Sequence, residues 1–190
     1  MVEPSQAVVD EAVHEGETMS VRDLVERIER YHDGPGVDRD TVAAYARELE
    51  SRRDYAFDAE AFLDDVAAHT TDAETWEGNN RLYALGKDRI SLFPAQFHDQ
   101  LGGSTDVPEY LRFFLDDAPA FLDDIGRSAA GGVPEDALIE VVEAVGRVDR
   151  GAATEALHEA RDAGAVIEDT DQHPQGAVYL RDRAPEDLLD

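Results

Sequence analysis

VDRGAATEALHEARDAGAVIEDTDQHPQGAVYLRD, residues 148–182, decides the fold. Asp149 is a good N-cap, and Ala153, Leu157 and Ala160 recur at helical spacing until Gly164. AVIE and AVYLRD follow on either side of the polar turn TDQHPQG, which predicts two strands and a tip. A helix running straight into a hairpin is one supersecondary unit, and it needs further helices to cover its apolar face.

Those helices lie upstream. Pro134 opens one, with Leu138, Ile139, Val142 and Val145 on one stripe, and Gly131-Gly132 breaks the pattern before it. Pro108 starts another, lined by Leu111, Phe114, Leu115 and Ala118, and Pro119 kinks or restarts it ahead of Phe121, Leu122 and Ile125. Gly102-Gly103-Ser104 is the boundary candidate between the halves.

The first half reads similarly. A short helix over 5–15 turns Ala7, Val8 and Ala12 inward. Ser20 with Asp23 forms a capping pair for a helix carrying Val21, Leu24, Val25 and Ile28, ended by Gly34-Pro35-Gly36. Asp38 is expected to cap a third helix with Val42, Ala46 and Leu49 inward. Tyr55 and Phe57 alternate like a short strand, and Asp58 caps a helix carrying Phe62, Leu63 and Val66. Residues 70–79 read as a loop in which Trp76 anchors to the core. Strands over 81–85 and 89–93 make a hairpin through Gly86-Lys87-Asp88, and a short helix spans 95–101.

Val37-Asp38-Arg39 and Val148-Asp149-Arg150 suggest a repeat. At the same offset Val42, Ala46 and Leu49 match Ala153, Leu157 and Ala160, and Tyr55 matches Val166. The fold class expected is mainly α with small β-hairpins, in two tandem units: 1–101, 102–183, and an acidic tail over 184–190.

With these residues in view, 108–183 resembles the winged helix-turn-helix superfamily, through the stretch quoted at the start. It is similar to the winged helix at the C-terminus of archaeal minichromosome maintenance helicases and in archaeal transcription factors. Residues 5–57 resemble a second copy, with 58–70 an inserted helix that displaces the wing to 81–93. The resemblance implies a third helix that enters the major groove and a wing near the backbone. Arg150, Thr154, His158 and Arg161 then form the DNA-facing stripe of the C-terminal unit, with His173 and Gln175 at the wing tip. Arg39, Arg47, Arg52 and Arg53 are the corresponding candidates in the first unit.

Charge bears on both halves. The 190 residues hold 44 acids against 17 basic residues, a formal charge of −27, and Lys87 is the only lysine. Such a chain repels itself in dilute buffer and is screened in molar salt, where the Debye length is about 3 Å. The composition is that expected of a salt-accumulating cytoplasm such as a halophilic archaeon's. Pairs such as Asp64-Asp65 and Asp123-Asp124 therefore read as solvated faces, since neighbours on a helix do not face each other. Residues 21–53 stand apart, with seven arginines against eight acids. That leaves a surface phosphate can approach, unless 22/26, 23/27 and 26/30 are simply i,i+4 ion pairs.

No P-loop, G-x-G-x-x-G or G-x-S-x-G motif occurs. The histidines at 14, 32, 69, 98, 158 and 173 lack zinc-binding spacing, and there is no cysteine. No enzyme activity, metal or cofactor is expected. The acidic N-terminal residues do not resemble a signal peptide and no apolar run is membrane-length, so a cytoplasmic location is expected. The function expected is DNA association or transcription regulation without catalysis. The alternative is a winged-helix adaptor that joins proteins without binding DNA. Tyr110, Phe113, Phe114 and Phe121 exceed one core-facing stripe, which suggests a homodimer or partner surface there.

Overall fold

The computed structural model describes residues 3–15, 19–32, 34–53, 55–128, 131–169 and 176–189. The chain is mainly helical with two small sheets. It forms two compact units: one takes the chain to Glu74 together with Asn80–Gln96, and the other takes Thr75–Asn79 and everything from Phe97 on.

The first unit contains α1 (Gln6–Glu15), α2 (Val21–Arg30), β1 (Val37–Asp38), α3 (Arg39–Glu50), α4 (Ala59–His69), β2 (Thr70–Thr71), β3 (Leu82–Gly86) and β4 (Arg89–Ser91). The capping pair closes α2 as its sequence implies: Ser20 Oγ accepts from Asp23 N–H at 3.1 Å, and the Asp23 carboxylate accepts from Ser20 N–H at 2.9 Å. Asp58 caps α4 through Ala61 N–H at 2.9 Å. Asp38 makes no side-chain cap. It sits in β1, where it pairs across the sheet with Arg89. The sheet order is β1-β4-β3-β2, with β1–β4 and β3–β4 antiparallel and β2 parallel to β3. The β3–β4 turn places Lys87 at φ 50° and Asp88 at φ 60°, the paired positive values of a type I′ hairpin turn. Tyr55 and Phe57 lie in no strand. Their rings stack at 5.7 Å, and Phe57 tilts against Phe62 at 5.4 Å, so the alternation reflects an aromatic cluster at the head of α4.

In the second unit come α5 (Ala95–Leu101, which begins at the end of the first unit), α6 (Val107–Asp116), α7 (Pro119–Asp124), β5 (Val133–Pro134), α8 (Glu135–Gly146), α9 (Arg150–Asp162), β6 (Val166–Asp169) and β7 (Ala177–Leu180). Two 3₁₀ turns follow, Arg181–Arg183 and Glu186–Leu188. Asp149 caps α9 through Ala152 N–H at 2.9 Å. The sheet order is β5-β7-β6, all antiparallel. Division of the chain at Gln96 rather than after 101 follows from packing: Phe97 and Leu101 are buried in the second core, and Gly103 N–H bonds the Val145 carbonyl.

Both units contain the pattern helix–strand–helix–helix–hairpin, with the short first strand paired to the last; the first unit adds β2, parallel to β3. The shared pattern sets a register different from the one the VDR triplets suggest. Val37 and Val133 begin equivalent strands, opposite Ile90 and Val178. The buried stripe Val42, Tyr45, Ala46 and Leu49 of α3 then matches Leu138, Val141, Val142 and Val145 of α8. Helix α4 answers α9, with Phe62 and Val66 buried where Ala153 and Leu157 are buried. The segment 58–70 is therefore not an insertion but the third helix of the shared pattern. Val148-Asp149 lies in the turn between α8 and α9, whereas Val37-Asp38 is a strand.

Gly36 makes the β1 approach possible. Its φ is +66°, and a Cβ there would lie 2.5 Å from the Ile90 carbonyl oxygen. Gly36→Ala is expected to cost about 1–3 kcal/mol, read as a lowered unfolding midpoint, while the same change at open Gly86 costs less. Equal effects at the two sites would contradict this reading.

Candidate nucleic-acid or protein interface

Helices α4 and α9 occupy the third helical position of the shared pattern, each ahead of its hairpin. On α4 the exposed side chains include Glu60, Asp64 and Asp65, and the helix carries no arginine or lysine. On α9 Arg150 and Arg161 are both engaged. Arg150 reaches Asp136 at 2.8 Å and Glu143 at 3.4 Å. Arg161 bridges Glu135 at 2.7 Å and Glu168 at 2.8 Å. Partial burial, together with Glu135 on the same guanidinium, raises the Glu168 carboxyl above its ordinary range, and Arg161 opposes that rise. The Thr154 hydroxyl donates to the Arg150 carbonyl at 2.8 Å, a bond within its own helix. His158 is exposed, between exposed Glu155, Glu159 and Asp162. The stripe predicted at Arg150, Thr154, His158 and Arg161 is thus on one helix, but its arginines serve to join α9 to α8 and β6. His173 and Gln175 lie outside the described residues.

Arg39, Arg47, Arg52 and Arg53 sit on or just after α3, which is the second helix of the shared helix–strand–helix–helix–hairpin pattern rather than the third. Arg52 pairs with Glu48 at 3.5 Å and Asp10 at 3.8 Å. Arg47 and Arg53 are exposed and Arg39 is half-buried, and none of the three forms an ion pair with a described residue. In the second unit the positions equivalent to Arg39 and Arg47 are Glu135 and Glu143. The i,i+4 expectation holds for Glu26–Arg30. Arg27 turns instead to Glu11 on α1. Arg22 reaches the carbonyls of Leu92 and Arg81 at 3.4 and 3.5 Å, its guanidinium 5.8 Å from the Phe93 ring centre.

The aromatic surface expected at Tyr110, Phe113, Phe114 and Phe121 is not a surface. Their exposures are 0%, 4%, 0% and 2%. Phe97 arrives from α5, edge-on to Phe113 at 4.8 Å and to Phe121 at 5.4 Å. Trp76 closes the same cluster against Phe121 at 4.9 Å, and its indole N–H donates to Asp124 at 2.8 Å. The surplus rings fill space between α5, α6, α7 and the Trp76 segment, so a partner does not reach them.

Among the described residues no three carboxylate or imidazole groups converge to hold a metal ion. No helix among them is long and apolar enough to cross a membrane. Sequence reasoning missed Glu29, a carboxylate only 5% exposed that accepts from Ser91 Oγ at 2.7 Å, Gly36 N–H at 3.1 Å and Leu92 N–H at 3.1 Å. A lone polar position on the edge of the α2 apolar stripe was its only signal. Comparison with protein-family models, curated proteins and solved structures finds no match for this chain.

Proposed function

We propose that this chain is a non-enzymatic adaptor, built from two winged-helix-like units, that assembles a protein complex rather than reading DNA. The observation that carries this reading is the charge of the third helices. A DNA-reading unit places that helix in the major groove, between rows of phosphates. Helix α4 would bring Glu60, Asp64 and Asp65 there with no cation, and α9 would bring Glu155, Glu159 and Asp162. In molar salt the repulsion is screened, but so is the attraction that supplies most non-specific affinity. Base contacts would then have to carry the affinity, and Arg150 and Arg161 are held by four carboxylates.

A DNA-associated, transcription-regulatory role is the second reading, favoured by Arg39, Arg47 and Arg53, which form no ion pair with a described residue. The two are separated by affinity capture of the full-length chain in molar KCl, with and without nuclease. The adaptor reading expects a stoichiometric protein that survives nuclease and is lost when Glu155 and Glu159 are both changed to arginine. Retained material that disappears with nuclease would contradict it.

A further inference from the structure

A cleft in the first unit gathers cations in a chain that has few. Its walls are Ser20, Val21 and Arg22 at the start of α2, His69 at the end of α4, and Asn80, Arg81 and Leu82 leading into β3. No carboxylate lines it among the described residues, although acids outnumber basic residues 44 to 17 in the chain as a whole. Each side chain has a reason to be there. Arg22 is fixed by the Arg81 and Leu92 carbonyls and the Phe93 ring. His69 Nδ1 lies 2.7 Å from the Asp65 carbonyl, which can only accept; Nδ1 therefore carries the hydrogen, and Nε2 is the other nitrogen of the ring. Arg81 forms no ion pair with a described residue. Asp23, the nearest acid in sequence, is committed to the Ser20 N–H.

The geometry points to a binding site for a terminal phosphate group, either inorganic phosphate or a small phosphate monoester. The two guanidiniums and the Asn80 amide supply the donors such a group needs, and arginine meets phosphate oxygens in pairs; His69 Nε2 accepts from the P–OH of a monoprotonated phosphate, or donates when the ring is protonated. Size selects the group. The cleft holds about 220 Å³, below the roughly 300 Å³ at which sites for drug-sized ligands begin. A phosphodiester chain would have to leave it on both sides. The cleft contains no residue of α3 and meets α4 only at its last residue, His69; Glu60, Asp64 and Asp65 do not line it.

The test is a backbone amide NMR titration of the full chain at constant ionic strength. Inorganic phosphate, glycerol phosphate and an oligodeoxynucleotide without terminal phosphates are added separately. Saturable shifts confined to 20–22, 69 and 80–82, complete below roughly 10 mM of inorganic phosphate or the monoester, support the site. Saturation by one of the two alone identifies the source. Arg81→Gln and His69→Gln alter exposed side chains and are each expected to weaken binding about tenfold with an unchanged spectrum elsewhere, while Arg112→Gln leaves it intact. Shifts that do not saturate, that appear equally at Arg112 and Arg181, or that only the oligonucleotide produces would overturn the proposal.

Discussion

Phe114→Ala lowers the unfolding free energy by about 3–5 kcal/mol, the range for emptying an aromatic position in a packed core. Phe114 has no exposed surface, and its ring centre lies 5.0 Å from Phe121, 6.0 Å from Phe113, 6.1 Å from Phe97 and 6.2 Å from Tyr110. Truncation removes the transfer energy of the ring and leaves a cavity that five other aromatic side chains in the cluster cannot collapse into without leaving their rotamers. Tyr31, 54% exposed, is the control: Tyr31→Ala changes stability by no more than about 0.5 kcal/mol. Denaturant unfolding in molar KCl reads both. A small effect at Phe114, with loss of a dimer, would restore the aromatic partner surface that the sequence suggests.

Glu29 gives the first unit a pH-dependent stability. Burial raises its carboxyl from 4.5 to about 7, against the opposing pull of the Ser91, Leu92 and Gly36 hydrogen bonds and of Arg22. The sign follows from which state releases the proton first. Below pH 4.5 both states hold it, and the group's full contribution is present. Between 4.5 and about 7 the unfolded chain ionises while the folded one resists, so stability falls, by about 3 kcal/mol at the end of that window. Above 7 the loss is complete and the profile levels. Asp116, held low by Arg183, slopes the other way, so the measurement is the difference between wild type and Glu29→Gln across pH 4–8. That difference is expected to change by about 3 kcal/mol in favour of the variant as pH rises. Glu29→Ala is expected to be destabilising throughout, since it removes the acceptor of the Gly36 N–H, the Leu92 N–H and the Ser91 hydroxyl. A wild-type-minus-Gln difference that is flat with pH would contradict the buried-carboxylate account.

Local chemistry was legible in the sequence wherever it was complete within a few residues. Ser20 with Asp23, Asp58 and Asp149 announce helix starts because the cap and the N–H it accepts from are three residues apart. The stripes of α2, α3, α8 and α9 announce buried faces by their period alone. Strands β1 and β5 are two residues long, too short to alternate, and exist only through partners on distant strands, β4 and β7. Without them the helix count shifts by one, which pairs α3 with α9 and makes α4 look like an insertion. The site failed for a similar reason. Arg150 and Arg161 look exposed on a helical wheel, and the carboxylates that hold them come from α8 and β6. Phe113 looked surplus because the rings that use it, above all Phe97, lie on another helix.

The adaptor account stands or falls on fluorescence anisotropy of the full-length protein with mixed genomic DNA fragments from roughly 0.5 to 3 M KCl, where the Debye length is only a few ångströms. It predicts no saturable binding at any salt, for wild type and for Arg39→Glu/Arg47→Glu alike. Binding that survives molar salt and is lost in that double variant, with circular dichroism unchanged, would contradict it and make the α3 arginines a DNA-reading surface.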